Sequence, residues 1–384
     1  MTKLPSILIL LVCYLSTSHA NGTELNRNDF ITQLRHLFAM QDAVAYGDRP
    51  AIEGQRQVLA ELTKFMPLGL PEPRPTPNIT GALAAYIFSG GQPADVESYV
   101  KQQELVGQRK ELLQGATAYM RGHLDDARAN LASIDPLTLP PAYGGRIALT
   151  KAMLSDLHSA NRQRYLSIAI ALMPGTLVEE ASLRRSVLSF AERGDATQFW
   201  RRTERYIRRF HKSVYAEEFL SGLARCVIEF HRDGRMEGLD ELDRLYASLP
   251  VNRRRLLYLQ LARGATVANV PDLAQLAGRR LFRLAVDGSS EQALGSLYTW
   301  AFAISEPATD LANARLLLID RNQVEGVDRA ILDAALEVIN LIRTPAESPV
   351  SMLITENELP KDLRLLEERA SAAMSSAEAL LGPQ

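Results

Sequence analysis

Apolar side chains recur along this chain at intervals of three and four residues, and glycines cut the runs they make. Phe30, Leu34, Leu37 and Phe38 fall on one face of a helix; "AYGDRPA" interrupts it, and Ile52, Val58, Leu59 and Leu62 resume the pattern. "GALAAYIFSGGQPADVESYV" has the same grammar: a small-and-apolar helix, a turn at Gly90-Gly91, a second helix. That grammar returns at Gly122, near Ser159-Ala160, at Gly194 and at Gly234, with uneven intervals of about 30 to 45 residues, the range of helical-repeat architectures. Beyond Arg253 the apolar stretch Leu256–Leu261, a helix start at Pro271-Asp272 and the run "LANARLLLIDRNQVEGVDRAILDAALEVINLIR" extend it with good helix formers. Alternating β-branched runs bounded by hairpin turns are missing. The pattern predicts an all-α protein.

Two breaks divide it. "MPLGLPEPRPTPN" carries alternate prolines from Pro67 to Pro77, which forbid helix and favour a stiff extended path. "TPAESPV" at 344–350 is the second, and the segment after it reads as an amphipathic helix with Leu363, Leu366 and Ala370 on one side. The predicted organisation is a helical pair over 21–66, a Pro-rich linker over 67–78, a helical-repeat domain over 79–343, and a linker with a C-terminal helix over 344–384.

The stretch "QGATAYMRGHLDDARANL" places small residues where two antiparallel helices must touch. It resembles a tetratricopeptide repeat: Gly115 falls on the small position of the first helix, Gly122 on the turn, Ala127 on the small position of the second, Leu131 on the aromatic position four residues later, and Pro140 near the usual closing proline. Ala118 stands where tyrosine is usual and Gln114 where leucine is. The other units keep the turn glycine and lose most of the rest, so the resemblance implies an irregular tetratricopeptide-like helical-repeat superhelix.

The first twenty residues follow different rules. Lys3 precedes an almost unbroken apolar run, Leu4–Leu15, and small residues Ser18 and Ala20 occupy the −3 and −1 positions of a cleavage site. This reads as a secretory signal over 1–20, cut between Ala20 and Asn21 and too short for a stable span. No later stretch is apolar enough to cross a bilayer, so the expectation is an exported chain with no membrane span after signal removal. Cys13 lies inside the apolar run, leaving Cys226 as the one thiol downstream, which forbids an internal disulfide. With 43 basic and 45 acidic residues among 384, the chain has no basic excess for nucleic acid.

Candidate chemistry is sparse. His36, His123, His158, His211 and His231 are far apart and show no zinc-binding spacing; neither a nucleophile elbow nor a phosphate loop occurs. Asp125-Asp126, Glu179-Glu180 and Glu217-Glu218 each sit near a predicted helix start, where carboxylates meet the helix dipole favourably. Gly144-Gly145-Arg146, after two prolines, reads as a loop. Cys226 shares an apolar stripe with Leu220, Leu223, Val227 and Phe230, the setting of a buried, inert thiol. The expectation is no catalytic, cofactor-binding or metal-ligating residue. The informative stretch is "TQFWRRTERYIRRFHKSVY". Arg201, Arg205, Arg208, Arg209 and Lys212 line one helical face, and Phe199, Thr203, Tyr206, Ile207 and Phe210 line the other. Such a stripe is either a solvated face, partly neutralised by Glu204 pairing with Arg208, or a docking surface for an acidic partner.

The segments "ALAAYIFSGGQPADV", "MPGTLVEEASLRRSV" and "RRFHKSVYAEEF", joined to a signal and helical repeats, resemble the MotC family of periplasmic motility proteins from α-proteobacterial flagellar systems. The match runs roughly from Phe30 to Phe230 and rests on scaffold positions. The resemblance implies a non-enzymatic periplasmic protein that binds the periplasmic part of the stator protein MotB and is needed for flagellar rotation. An exported envelope-assembly adaptor would use the same surfaces. A superhelical cell-wall-acting enzyme would need a catalytic Glu in a polar cleft, which the sequence does not single out.

Overall fold

The computed structural model describes residues 27–65, 77–235, 239–303 and 309–343. The expected signal with its Ala20–Asn21 junction, residues 66–76 of the Pro-rich stretch, and the expected linker and helix of 344–384 lie outside the described residues. Among the described residues the fold is all-α, with seventeen helices, two short 3-10 turns and no strand. The chain separates into two compact units, residues 1–179 and 180–384.

Unit 1 contains α1 (Arg27–Ala45), α2 (Pro50–Phe65), α3 (Pro77–Phe88), α4 (Pro93–Gln102), α5 (Gly107–Met120), α6 (Leu124–Leu131), α7 (Pro141–Leu154), α8 (Ala160–Leu172) and the first residues of α9 (Leu177–Glu192). Proline opens α2, α3, α4 and α7, where its missing N–H has no helical partner to lose. One apolar core runs through Leu34 and Leu37 of α1, Leu62 of α2, Leu83 and Ile87 of α3, Leu113 of α5 and Ile147 of α7, so the helices on both sides of the Pro-rich stretch share it. The α5–α6 hairpin is built as its small residues predict. Gly122 holds the left-handed turn at φ 78°, Ala127 is fully buried, and a Cβ on Gly115 would stand 2.6 Å from Leu131 Cγ.

Gly144-Gly145-Arg146 is not a loop; it lies inside α7. A Cβ on Gly144 would meet the Pro136 carbonyl at 2.2 Å, and one on Gly145 would meet Met173 Cγ at 2.4 Å. The two glycines are packing positions, and the prolines before them open the helix. Arg146 is buried: its guanidinium lies 3.5 Å over the Phe38 ring and donates to Gln41 Oε1 at 2.9 Å. Burial pushes it down to about 10, against the pull of nearby Asp42. Lys151 Nζ donates to the carbonyls of Leu131, Ala132 and Ile134 at 2.8, 3.2 and 2.7 Å, closing the end of α6 with a cation where the helix dipole is negative.

Unit 2 contains the rest of α9, α10 (Ala196–Phe210), α11 (Ala216–Arg232), α12 (Asp240–Tyr246), α13 (Val251–Val267), α14 (Pro271–Leu284), α15 (Ser290–Trp300), α16 (Thr309–Leu317) and α17 (Gly326–Arg343). Helix α11 packs on α13, α13 on α14, and α14 on α15. The α14–α15 pair packs backbone against backbone: a Cβ on Gly278 would lie 2.7 Å from Thr299 N, and one on Gly295 would lie 2.5 Å from Phe282 N. The run beginning "LANARLLL", rich in helix formers, is split. Asp320 accepts the Asn322 N–H in a 3-10 turn and Gly326 adopts φ 55°, so local side-chain–backbone bonding overrides propensity there.

Candidate functional site

Helix α10 carries the predicted basic stripe. It starts where Gly194 turns at φ 71° and Asp195 caps it, accepting the Gln198 N–H at 3.0 Å. Phe199, Thr203, Tyr206, Ile207 and Phe210 are all buried, as the periodicity predicts. On the opposite side Arg201, Arg208 and Arg209 are exposed and Arg205 is half-buried. The helical spacing also predicts Lys212 on this stripe. The helix ends at Phe210, however, so Lys212 stands on the following turn, exposed and beyond the reach of helical phase. Arg208 and Glu204 approach to 3.8 Å across one turn, a pair exposed enough for solvent to screen most of its attraction. Arg202, on the same helix, is driven below the ordinary guanidinium value by burial and then by the charges of Arg205 and Arg201. Four arginines thus share this side of α10 on a chain of formal net charge −2.

What sets the direction of that face lies beneath it. The Tyr206 ring stacks on Phe219 at 3.8 Å between centroids, and Phe199 meets Phe230 edge-on at 4.8 Å. Tyr206 OH donates to Glu180 Oε1 at 2.7 Å, Ser213 Oγ donates to the same oxygen at 3.4 Å, and Arg184 Nε approaches it at 3.5 Å. Glu180 is completely buried. Burial raises its carboxyl above the usual carboxylate range, and Arg184 and Tyr206 only partly offset this.

The sequence places Glu179-Glu180 at a helix start, and Glu179 does accept the Gly175 N–H at 2.6 Å. Glu180 does something else: it fastens α9 to α10. Two further carboxylates repeat the device. Asp243 accepts Tyr258 OH and the Arg280 Nε proton, the latter at 2.7 Å. Asp328 accepts Tyr298 OH and is gripped by Arg263, whose Nε lies 3.2 Å from Oδ1. Each clasp joins residues on different helices, up to 65 positions apart for Arg263 and Asp328. A carboxylate in phase with apolar core positions, as Asp328 is with Leu332 and Ala335, is the signal that could have revealed them.

Glu180 is fully buried with Tyr206 OH on its Oε1, where no substrate reaches it. His231 pairs with Asp272 at 2.9 Å. Cys226 is buried, and burial pushes its thiol up to about 12, which makes it unreactive. No described helix is long and apolar enough to cross a membrane.

The family model described as "Chemotaxis protein MotC" matches residues 1–381. Chemotaxis protein MotC of Rhizobium meliloti (strain 1021) is 28% identical over 372 residues, covering 94% of this chain and 83% of that protein. No solved structure matches the chain.

Proposed function

The chain belongs to the MotC family of chemotaxis proteins, and from that membership we propose that it is an exported, non-enzymatic motility protein that binds the periplasmic part of MotB. Its site of action is the periplasm, reached through the signal at residues 1–20. The observation that carries the binding reading is the basic face of α10. Arg201, Arg205, Arg208 and Arg209 are held toward one side by a helix whose opposite side is entirely core, with Lys212 on the adjoining turn. Charges fixed in direction speed and orient encounter with an acidic surface even when net charge is near zero.

Protein purified from the periplasmic fraction should begin at Asn21 and capture the periplasmic fragment of MotB. Capture should weaken as salt rises past about 0.15 M, where screening shortens to about 8 Å. Arg201→Glu with Arg208→Glu, both exposed positions, should slow association more than it speeds dissociation. Unchanged kinetics with the fold intact would return the stripe to a solvated face. Failure of capture at every salt concentration, with normal swimming in a deletion strain, would remove the motor reading altogether.

A further inference from the structure

Helix α17 is more apolar than its packing uses. Its buried side is Asp328, Leu332, Ala335 and Ile339. Beside that side runs a second apolar stripe: Val327, Ile331, Ala334, Val338 and Leu341, at steps of four, three, four and three residues. Ile331 is half-buried and the others are exposed, Val338 by 42% and Leu341 by 54%. Ile342, between the two stripes, is 50% exposed. The polar residues Arg329, Asp333, Glu337 and Asn340 occupy the remaining side. Steps of three and four are those of a coiled-coil seam, whose knobs need the holes of a facing helix. One seam of α17 is filled and the adjacent one is open.

The segment that follows α17 carries a matching seam. Leu363, Leu366, Ala370, Ala373, Ala377 and Leu380 follow steps of three, four, three, four and three. Pro360 stands where proline commonly opens a helix. The three central alanines let a partner backbone come close, which suits the Val, Ile and Leu knobs of α17. Lengths also agree. At 1.5 Å per residue α17 is about 27 Å long, and a helix over residues 360–381 would be about 33 Å. The sixteen residues between Arg343 and Pro360 extend to roughly 50 Å, enough to return along the whole of α17. A tethered segment faces its site at an effective concentration in the millimolar range, well above that of a second copy in dilute solution.

We propose that residues 360–381 form a helix that packs along the open Val327–Ile331–Ala334–Val338–Leu341 stripe of α17 and closes that end of unit 2. An outer cap of this kind is what a helical array needs where its last repeat would otherwise expose core-type side chains.

The test uses the full chain with Cys13→Ser and one reporter thiol, Val338→Cys, because Cys226 is buried and its thiol is pushed up to about 12. A maleimide should label Cys at 338 at least about tenfold more slowly than in the same chain carrying Leu363→Asp and Leu366→Asp, since protection scales with the closed population. A Leu341→Cys reporter should behave alike. Glu337→Cys, on the polar side, should label fast with and without the aspartates. Equal labelling at 338 in both chains would overturn the proposal. So would protection that rises with protein concentration, which would assign the stripe to a second copy. Protection appearing only when the periplasmic MotB fragment is added would overturn it in favour of that partner.

Discussion

Replacing Gly295 with alanine would set a methyl carbon 2.5 Å from Phe282 N and 2.7 Å from its Cα. Those are backbone atoms of α14, so no side chain can swing aside. The helices must separate by about 1 Å to restore ordinary van der Waals contact near 3.5–4.0 Å. Overpacking of this kind costs roughly 1–3 kcal/mol, occasionally more, while alanine returns about 1 kcal/mol of helix propensity over glycine. The expected net effect is a loss of about 0–2 kcal/mol. Gly264→Ala in α13 is the matched control. Its new methyl would meet only Ile228 Cδ1, at 2.6 Å, the tip of a flexible side chain. It should be neutral or stabilising by up to about 1 kcal/mol. Urea unfolding followed by tryptophan fluorescence isolates the comparison, because both tryptophans, Trp200 and Trp300, belong to unit 2. Gly278→Ala strains the same interface from the other side, at 2.7 Å from Thr299 N. The double variant should therefore cost less than the sum of the singles, since one separation relieves both clashes. If Gly295→Ala proves as stable as Gly264→Ala, or if the two interface substitutions simply add, the backbone-to-backbone packing of α14 on α15 is wrong.

Two other outcomes follow from buried groups. Glu180 has its proton affinity raised in the fold, chiefly by burial, so folded protein binds more protons than unfolded protein between the ordinary carboxylate range and the raised value. Stability tied to this group is present at low pH and lost as pH rises through that window. Glu180→Gln should flatten the loss and leave the protein at least as stable at neutral pH; a steeper decline in stability with rising pH would refute the assignment. Cys226 should resist a thiol reagent in native protein and react once denatured, with prompt stoichiometric labelling of the folded chain as the contrary result.

The parts of this fold legible in the sequence are those decided within one or two helical turns. The two faces of α10 could be assigned because Phe199, Thr203, Tyr206, Ile207 and Phe210 alternate with arginines at helical period. Gly115 and Ala127 announced their hairpin because small residues fit where its helices touch, and Gly122 because the turn between them needs a positive φ. Other features depend on partners that period cannot name. Gly144-Gly145-Arg146 read as a loop because two prolines precede it, whereas Arg146 stacks on Phe38 and bonds Gln41, 105 positions away, inside a helix. Asp328 sits at a core position of α17 because Arg263 and Tyr298 await it there. Lys212 fits the stripe by arithmetic but lies past the helix end, which neighbouring side chains and not period determine.

The clasps and the basic face belong to one argument. Rotating α10 by a single residue would move its arginines about 100° around the axis and pull Tyr206 off Glu180 and Phe219. A purely apolar face tolerates such slippage, since one hydrophobic contact replaces another at little cost. A hydroxyl aimed at a buried carboxyl does not, because breaking it strands two polar groups away from water. Tyr206 and Glu180 thus lock the angle at which Arg201, Arg205, Arg208 and Arg209 meet solvent. The same logic applies at α17, where Asp328, held by Arg263 and Tyr298, fixes which of its two apolar stripes turns inward and which stays open. Here buried polar pairs act by setting the direction of the surfaces around them.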